Sequence, residues 1–230
     1  MSRAAILSFS EKGGETAARI AAALADYEVE RYAPKGNLRE LTAQLFPAVE
    51  ALVFVGACGI AVRAIAPHLV SKTVDPAVLV ADEKGEFVIS LLSGHIGGAN
   101  DLARQLAERL GATPGVTTAT DVNRRFAADA WAARRGLVIS DMGAAKRFSA
   151  EILKRDLPLL TDFPVEGKLP AGVYAGDAGD CGLAVSCREI HPFVAPIELK
   201  LLALGHLGFD LLQLDILDLG QARSAQHRQA

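Results

Sequence analysis

Cysteine is scarce in this sequence: 230 residues carry three, Cys58, Cys181 and Cys187. Scattered thiols in that number cannot build a disulfide framework. None belongs to a CxxC pair, and neither HExxH nor a histidine cluster supplies metal-ligand spacing. Reduced thiols in a cytoplasmic protein are the economical reading. The start, MSRAAILSFSEKGG, lacks the apolar core of a signal segment. Long uninterrupted apolar runs are missing too. Arg63 and Pro67 break Ala51–Val70, and Asp210, Asp215 and Asp218 break the leucine-rich Leu199–Leu219, so neither reads as a membrane span. Positive charge is not in excess: 24 Lys and Arg face 27 Asp and Glu, a net charge of −3. That excludes a global attraction to nucleic acid or acidic membranes. No internal repeat or low-complexity tract stands out.

Half of the residues are hydrophobic and 22% are charged, enough for one large domain or two small ones. The densest signal is Phe87–Arg109, FVISLLSGHIGGANDLARQLAER. Phe87–Leu92 reads as a strand covered on both faces. Ser93–Gly98 is a turn with three glycines, which permit left-handed dihedrals and close backbone approach to a ligand. Ala99, Leu102, Ala103, Leu106 and Leu110 then recur at helical spacing, with Arg104 and Glu108 paired on the wet side. Free amides at the start of such a helix favour a negatively charged ligand group, and His95 is held beside it.

The same order of strand, loop and helix occurs twice more. Ala51–Val55, Gly56–Gly59 and Ile60–Ala66 form one unit, with Arg63 one turn into its helix; Ala4–Phe9, Ser10–Gly14 and Thr16–Leu24 form the other. Three such units predict an α/β fold: a parallel-sheet, three-layer N-terminal domain. Right-handed connections gather the loops after the strands on one rim, where open α/β sheets bind ligands. The Gly56–Gly59 and Ser93–Gly98 loops are therefore expected to face one pocket. GACGIA and GHIGGA do not reproduce G-x-G-x-x-G, and no GK[ST] loop occurs, which weighs against a nucleotide-binding domain.

The first domain is expected over residues 1–125, ending in the threonine-rich TTATDVN at Thr117–Asn123. A smaller α/β domain follows over 126–202, and a leucine-rich segment with a polar tail over 203–230. In the second domain a helix is expected from about Phe126 to Arg135, capped by Asp121 or Asn123. Strands are predicted at Leu137–Ser140, Leu157–Leu160, Val185–Arg188 and Ile197–Leu202, and a helix at Ala144–Leu153. Phe163–Cys181 is expected to be turns and loops.

From Val55 to Asn123 the pattern GxxGIAVR…APxL…KxxDPAV…DExGxFVISLLSGHxGGAN…TTATD resembles the N-terminal domain of the cobalt-precorrin-5A hydrolase (CbiG) family of anaerobic cobalamin biosynthesis. Residues from about 126 to 200, including VSCREIHPFVAPIELKL, resemble its central domain more weakly. The resemblance implies a hydrolase acting on a cobalt-containing, ring-contracted tetrapyrrole. Water opens a δ-lactone between the ring A acetate and the extruded meso carbon, and acetaldehyde leaves to give cobalt-precorrin-5B. Cobalt enters with the substrate, so no separate cofactor is implied. Family members continue into a C-terminal domain of roughly a hundred residues, the size of a small domain. Here LALGHLG, Leu202–Gly208, stands where that domain would open. The resemblance therefore also admits a non-catalytic corrinoid-binding subunit whose C-terminal domain is a separate protein.

That chemistry needs a base or acid near a lactone carbonyl and clamps for a carboxylate-ringed substrate. His95 is the expected catalytic residue, because imidazole serves either role near neutral pH. Gly56, Gly59, Arg63, Ser93, Gly94, Gly97, Gly98, Asn100 and Asp101 are the expected substrate-binding set. The glycines would shape the loops, and Arg63 would offer a bidentate fork to a carboxylate. Ser93 lacks a visible base–orienter pair, so binding suits it better than nucleophilic attack. Thr117, Thr118, Thr120 and Asp121 either line the pocket edge or cap the next helix. Asp75 reads as a turn residue before Pro76, Cys58 as an inert small side chain, and no metal site is assigned.

Overall fold

The computed structural model describes residues 1–135, 139, 141–161, 164–176 and 181–185, with the backbone of 197–198 and 214–215. The chain divides into two units, Met1–Thr118 and Ala119–Ala230, a boundary earlier than the one expected at residue 125.

In the first unit β1 (Ser2–Ser8), α1 (Glu11–Ala23), β2 (Tyr27–Tyr32), α2 (Leu38–Leu45), β3 (Ala51–Val55) and α3 (Cys58–Ile65) come in succession. A 3₁₀ turn at Ala66–His68 leads to β4 (Ala77–Ala81), β5 (Phe87–Leu92), α4 (Ala99–Leu110) and β6 (Thr113–Gly115). The six strands lie in the order β2-β1-β3-β4-β5-β6. Alternate residues serve opposite faces, as the strand period of two requires. Ala4, Ile6, Ala51, Val53, Val55, Leu79 and Ala81 pack with α1 and α4. Ala5, Leu7, Leu52, Phe54, Val78 and Val80 pack with α2 and α3. The result is the expected three-layer α/β arrangement.

The sheet is not wholly parallel. β2, β1, β3 and β4 run together, β5 runs antiparallel to β4, and β6 is parallel to β5. Only Asp82–Glu86 separates β4 from β5. A parallel return needs a crossover of about a dozen residues or more, so this link can only reverse the chain. The reversal is well built. The Asp82 carboxylate accepts the amides of Lys84 at 3.0 Å and Phe87 at 2.6 Å, and Gly85 takes φ +72°. β5 is also less covered than expected, since Val88 alone is buried within it. It lies between β4 and the three-residue β6, whose shortness leaves its outer side thinly covered.

Helix ends follow local chemistry. Ser10 caps α1 by accepting the Gly13 amide at 3.0 Å. α4 buries Ala99, Leu102, Ala103, Leu106 and Ala107 and ends at Gly111, which is left-handed.

The second unit contains α5 (Ala119–Val122), α6 (Ala128–Arg134), α7 (Met142–Glu151), β7 (Leu157–Thr161), β8 (Val165–Glu166), β9 (Val173–Ala175), β10 (Leu183–Val185), β11 (Ile197–Glu198) and β12 (Leu214–Asp215). β11, β10, β7 and β9 form a parallel sheet. Phe126, Trp131, Phe148, Ile152 and Leu157 form its core. Neither Asp121 nor Asn123 caps α6. Its cap position is Ala127 without a side-chain bond, and the Asn123 amide group instead donates to the Ala119 carbonyl. Two short strands, β8 and β9, interrupt the stretch expected to be loops. The predicted strand at 137–140 falls largely outside the described residues, as does most of the leucine-rich tail. Among the described residues no helix is long and apolar enough to cross a membrane.

Candidate functional site

The reversal at β5 decides where the expected site residues lie. Leu52, Val78 and Leu92 are level with one another across the sheet, and so are Val55, Ala81 and Val88. The loop after β3 therefore leaves the rim where β4 ends, and the loop after β5 leaves the rim where β4 begins. About five strand residues, or roughly 16 Å, separate the two rims. The expectation that both glycine loops face one pocket is not met. Gly56 and Gly59 stand on the first rim; Ser93, Gly94, His95, Gly97, Gly98, Asn100 and Asp101 stand on the second. Arg63 is in the last turn of α3, exposed, further along toward the second rim.

On the first rim the loops after β1 and β3 adjoin, as at the switch point of a doubly wound sheet. The Gly56 amide donates to the Ala81 carbonyl at 2.8 Å. Three contacts tie the β4–β5 turn to α1. The Ser10 hydroxyl bonds the Glu83 carboxylate, the Thr16 hydroxyl donates to the Glu83 carbonyl at 2.7 Å, and Arg19 donates to the Lys84 carbonyl at 3.1 Å. The Glu83 carboxylate thus lies beside the start of α1.

On the second rim the β5–α4 loop is folded tightly on itself. Ser93 holds φ +57°, a left-handed conformation uncommon outside glycine, and is buried. Its hydroxyl donates to the Asp75 carbonyl at 3.0 Å. The Asp75 carboxylate, read from sequence as a mere turn group, is buried and accepts the Val70 amide at 3.0 and 3.3 Å. Gly97 could be no other residue, because a Cβ there would lie 2.4 Å from Ser93 Cβ and 2.9 Å from its carbonyl oxygen. Gly98 caps α4 at φ +79°.

The expectation of free amides at the start of α4 is corrected here. The Ala99 amide donates to the Ser93 carbonyl at 3.1 Å and the Asn100 amide to the Gly94 carbonyl at 2.9 Å. The loop's own carbonyls occupy the positions an anion would take. Asn100 is buried and its Nδ2 donates to the Thr118 hydroxyl at 2.8 Å, which joins the helix start to the chain just beyond β6. Asp101 pairs with Arg104 at 3.4 Å on the surface of the same helix. The His95 carbonyl accepts the Gly98 amide at 3.0 Å, so this half-buried imidazole rides on a closed turn. Such a turn fixes the backbone that carries His95, whereas the Ser93 hydroxyl already spends its proton on Asp75.

Displaced titrations are found at the β1–β2 edge. The Tyr32 hydroxyl and then Arg3 hold the Glu30 carboxyl below its usual range. Burial, with Glu50 and Asp26 nearby, pushes the Tyr27 phenol up. Among the described residues no three His, Cys, Asp or Glu side chains gather as a metal site.

Fold and loop define a doubly wound α/β domain with a hairpin reversal and a self-capped, histidine-bearing strand-to-helix junction. Residues 40–121 match the family described as Cobalamin synthesis G N-terminal. Over 118 residues, 51% of this chain, the sequence is 49% identical to the cobalt-precorrin-5A hydrolase of Salmonella typhimurium, covering 34% of that protein. Identity to the cobalt-precorrin-5A hydrolase of Priestia megaterium is 43% over 121 residues, which are 53% of this chain and 32% of that one. The crystal structure of a cobalamin biosynthesis protein G homolog from Sulfolobus solfataricus is similar with a TM-score of 0.51 at 25% identity, over 85% of this chain and 58% of that chain. The matched part spans about a third of the length of the curated relatives.

Proposed function

We propose that this chain is a cobalt-precorrin-5A hydrolase, or the N-terminal and central part of one, and that its chemistry centres on the β5–α4 junction. The observation that carries the reading is that the matched segment, residues 40–121, contains the whole self-capped His95 loop. A strained, buried Ser93 and a Gly97 with no room for a methyl group are costly to maintain for packing alone. Both fix the path of the backbone that carries His95.

In this reading His95 takes a proton from the water that attacks the lactone carbonyl and returns it to the departing alkoxide. Ring opening leaves a free acetate and an alcohol on the extruded carbon. Loss of that two-carbon unit as acetaldehyde, with a proton replacing it on the macrocycle, gives cobalt-precorrin-5B. Ser93, Asn100 and Asp75 position the loop; they do not touch the reacting atoms. Cobalt arrives inside the substrate, so protein dialysed free of metal retains turnover.

Incubating the purified chain with cobalt-precorrin-5A and trapping the aldehyde tests this reading. One acetaldehyde per macrocycle is expected. Tight binding without aldehyde, restored by a separately supplied C-terminal domain, identifies a corrinoid-binding subunit instead. No aldehyde with or without that domain overturns the assignment.

A further inference from the structure

We propose that the stretch Ile60–Val74 is the face on which a carboxylate-fringed apolar macrocycle lies. The inference rests on the tetrapyrrole reading above and adds the surface that holds the ring. α3 is apolar on both sides. Ala61, Ala64 and Ile65 enter the core, yet Val62 is 46% exposed, and beyond the helix Leu69, Val70 and Val74 are 48%, 79% and 66% exposed. Single exposed apolar side chains are ordinary, but a run of them along one segment marks a contact surface.

The exposure is built in rather than a product of slack chain. The amides of Val74 and Asp75 donate to the Ser71 carbonyl at 3.1 and 2.9 Å, and the Val70 amide is held by the Asp75 carboxylate. Val70 and Val74 are thereby presented outward from a closed loop. Through its carbonyl the same Asp75 holds Ser93, so this loop and the His95 loop are braced to one residue.

Charge says what the surface takes. From Ala51 to Val74 there is no Asp or Glu, while Arg63, His68 and Lys72 are present, in a chain whose net charge is −3. Arg63 and Lys72 are both exposed. The carboxylate that ends the stretch, Asp75, is buried. Apolar side chains bordered by two separated cations complement a flat ring with hydrophobic faces and peripheral acetate and propionate groups. They lack the cluster of four or more cations that an anionic lipid surface requires.

The test is a titration of the full chain with cobalt(III) uroporphyrin III, an octacarboxylate, followed by its Soret band. Saturable binding is expected. Val70→Asp/Val74→Asp should weaken it at least tenfold, because it removes apolar contact and adds repulsive charge. Val70→Lys/Val74→Lys should retain it, since the lysine stems are apolar and the charge is complementary. Unchanged melting temperatures for both pairs exclude misfolding. No binding by the parent chain, or equal binding by the Asp pair, overturns the proposal. So does gel filtration in which the parent is a dimer that the Asp pair dissociates, and so does capture by phosphatidylserine vesicles as strong as by the porphyrin. With the lactone substrate, normal turnover and an unchanged KM in the Asp pair would sink the docking face and leave the hydrolase reading intact. Porphyrin binding without turnover would do the reverse.

Discussion

The loops Gly56–Gly59 and Ser93–Gly98 share one sequence grammar, each joining an apolar strand to a helix through glycines, but their surroundings are opposite. A methyl group added at Gly59 would meet no atom within 4 Å, whereas at Gly94 it would lie 2.7 Å from Asn100 Oδ1 and at Gly97 2.4 Å from Ser93 Cβ. At Gly59 glycine leaves space; at Gly94 and Gly97 it lets the chain close on itself. The first two amides of α4, Ala99 and Asn100, are met by the loop's carbonyls, and at α3 the loop supplies the Ala57 carbonyl to the Ile60 amide at 3.0 Å. A glycine turn before a helix is therefore not one device. One kind leaves room beside a helix end, and the other closes the backbone tightly on itself.

Equal truncations in the two loops give the sharpest contrast. His95→Ala should lower turnover by about 10²–10⁴-fold with an unaltered melting temperature. Cys58→Ala, on the other rim, should leave turnover within about twofold, as substitutions away from a site usually do. Comparable losses from both, measured by acetaldehyde release, would erase the distinction between the rims. Glycine replacements come next. Gly97→Ala should cost about 2–4 kcal/mol in denaturant unfolding through overpacking. Gly59→Ala, inside α3 with open space, should stabilise by about 0.5–1 kcal/mol; the same sign at both positions would refute the packing contrast. Asn100→Ala should cost about 1–2 kcal/mol for an abandoned buried bond to Thr118. Thr118→Val should cost less when added to Asn100→Ala than alone, and full additivity would show that the two side chains do not cooperate.

Much of the first unit could be read from local pattern. β1, β3 and β5 are apolar runs, α1 and α4 have helical periodicity, and His95, Asn100 and the loop glycines stand in a conspicuous turn. Pairing direction was not legible in the same way, because an apolar run looks alike whichever way its neighbour points. A signal existed nonetheless: AVLVA and FVISLL are separated only by DEKGE, a hairpin spacing. β2, Tyr27–Tyr32, escaped because it is an edge strand with half-buried residues alternating with exposed ones and no apolar run. Asp75 looked like an ordinary Asp-Pro turn. Its carboxylate closes a five-residue loop back to Val70, and its carbonyl meets Ser93 just after β5, a contact that neighbouring residues do not announce. The capped start of α4 was hidden for the same reason, since its partners are carbonyls, and every residue has one.

The β4–β5 turn has an effect beyond reversing a strand. Doubly wound sheets commonly admit phosphate esters at the point where their first crossovers diverge, with the negative group resting on a helix start. In this molecule Glu83 already brings a negative charge to that seat, hydrogen-bonded to the residue that caps α1. Such a charge disfavours a phosphate group at that point, in keeping with a glycine spacing that does not match a nucleotide loop.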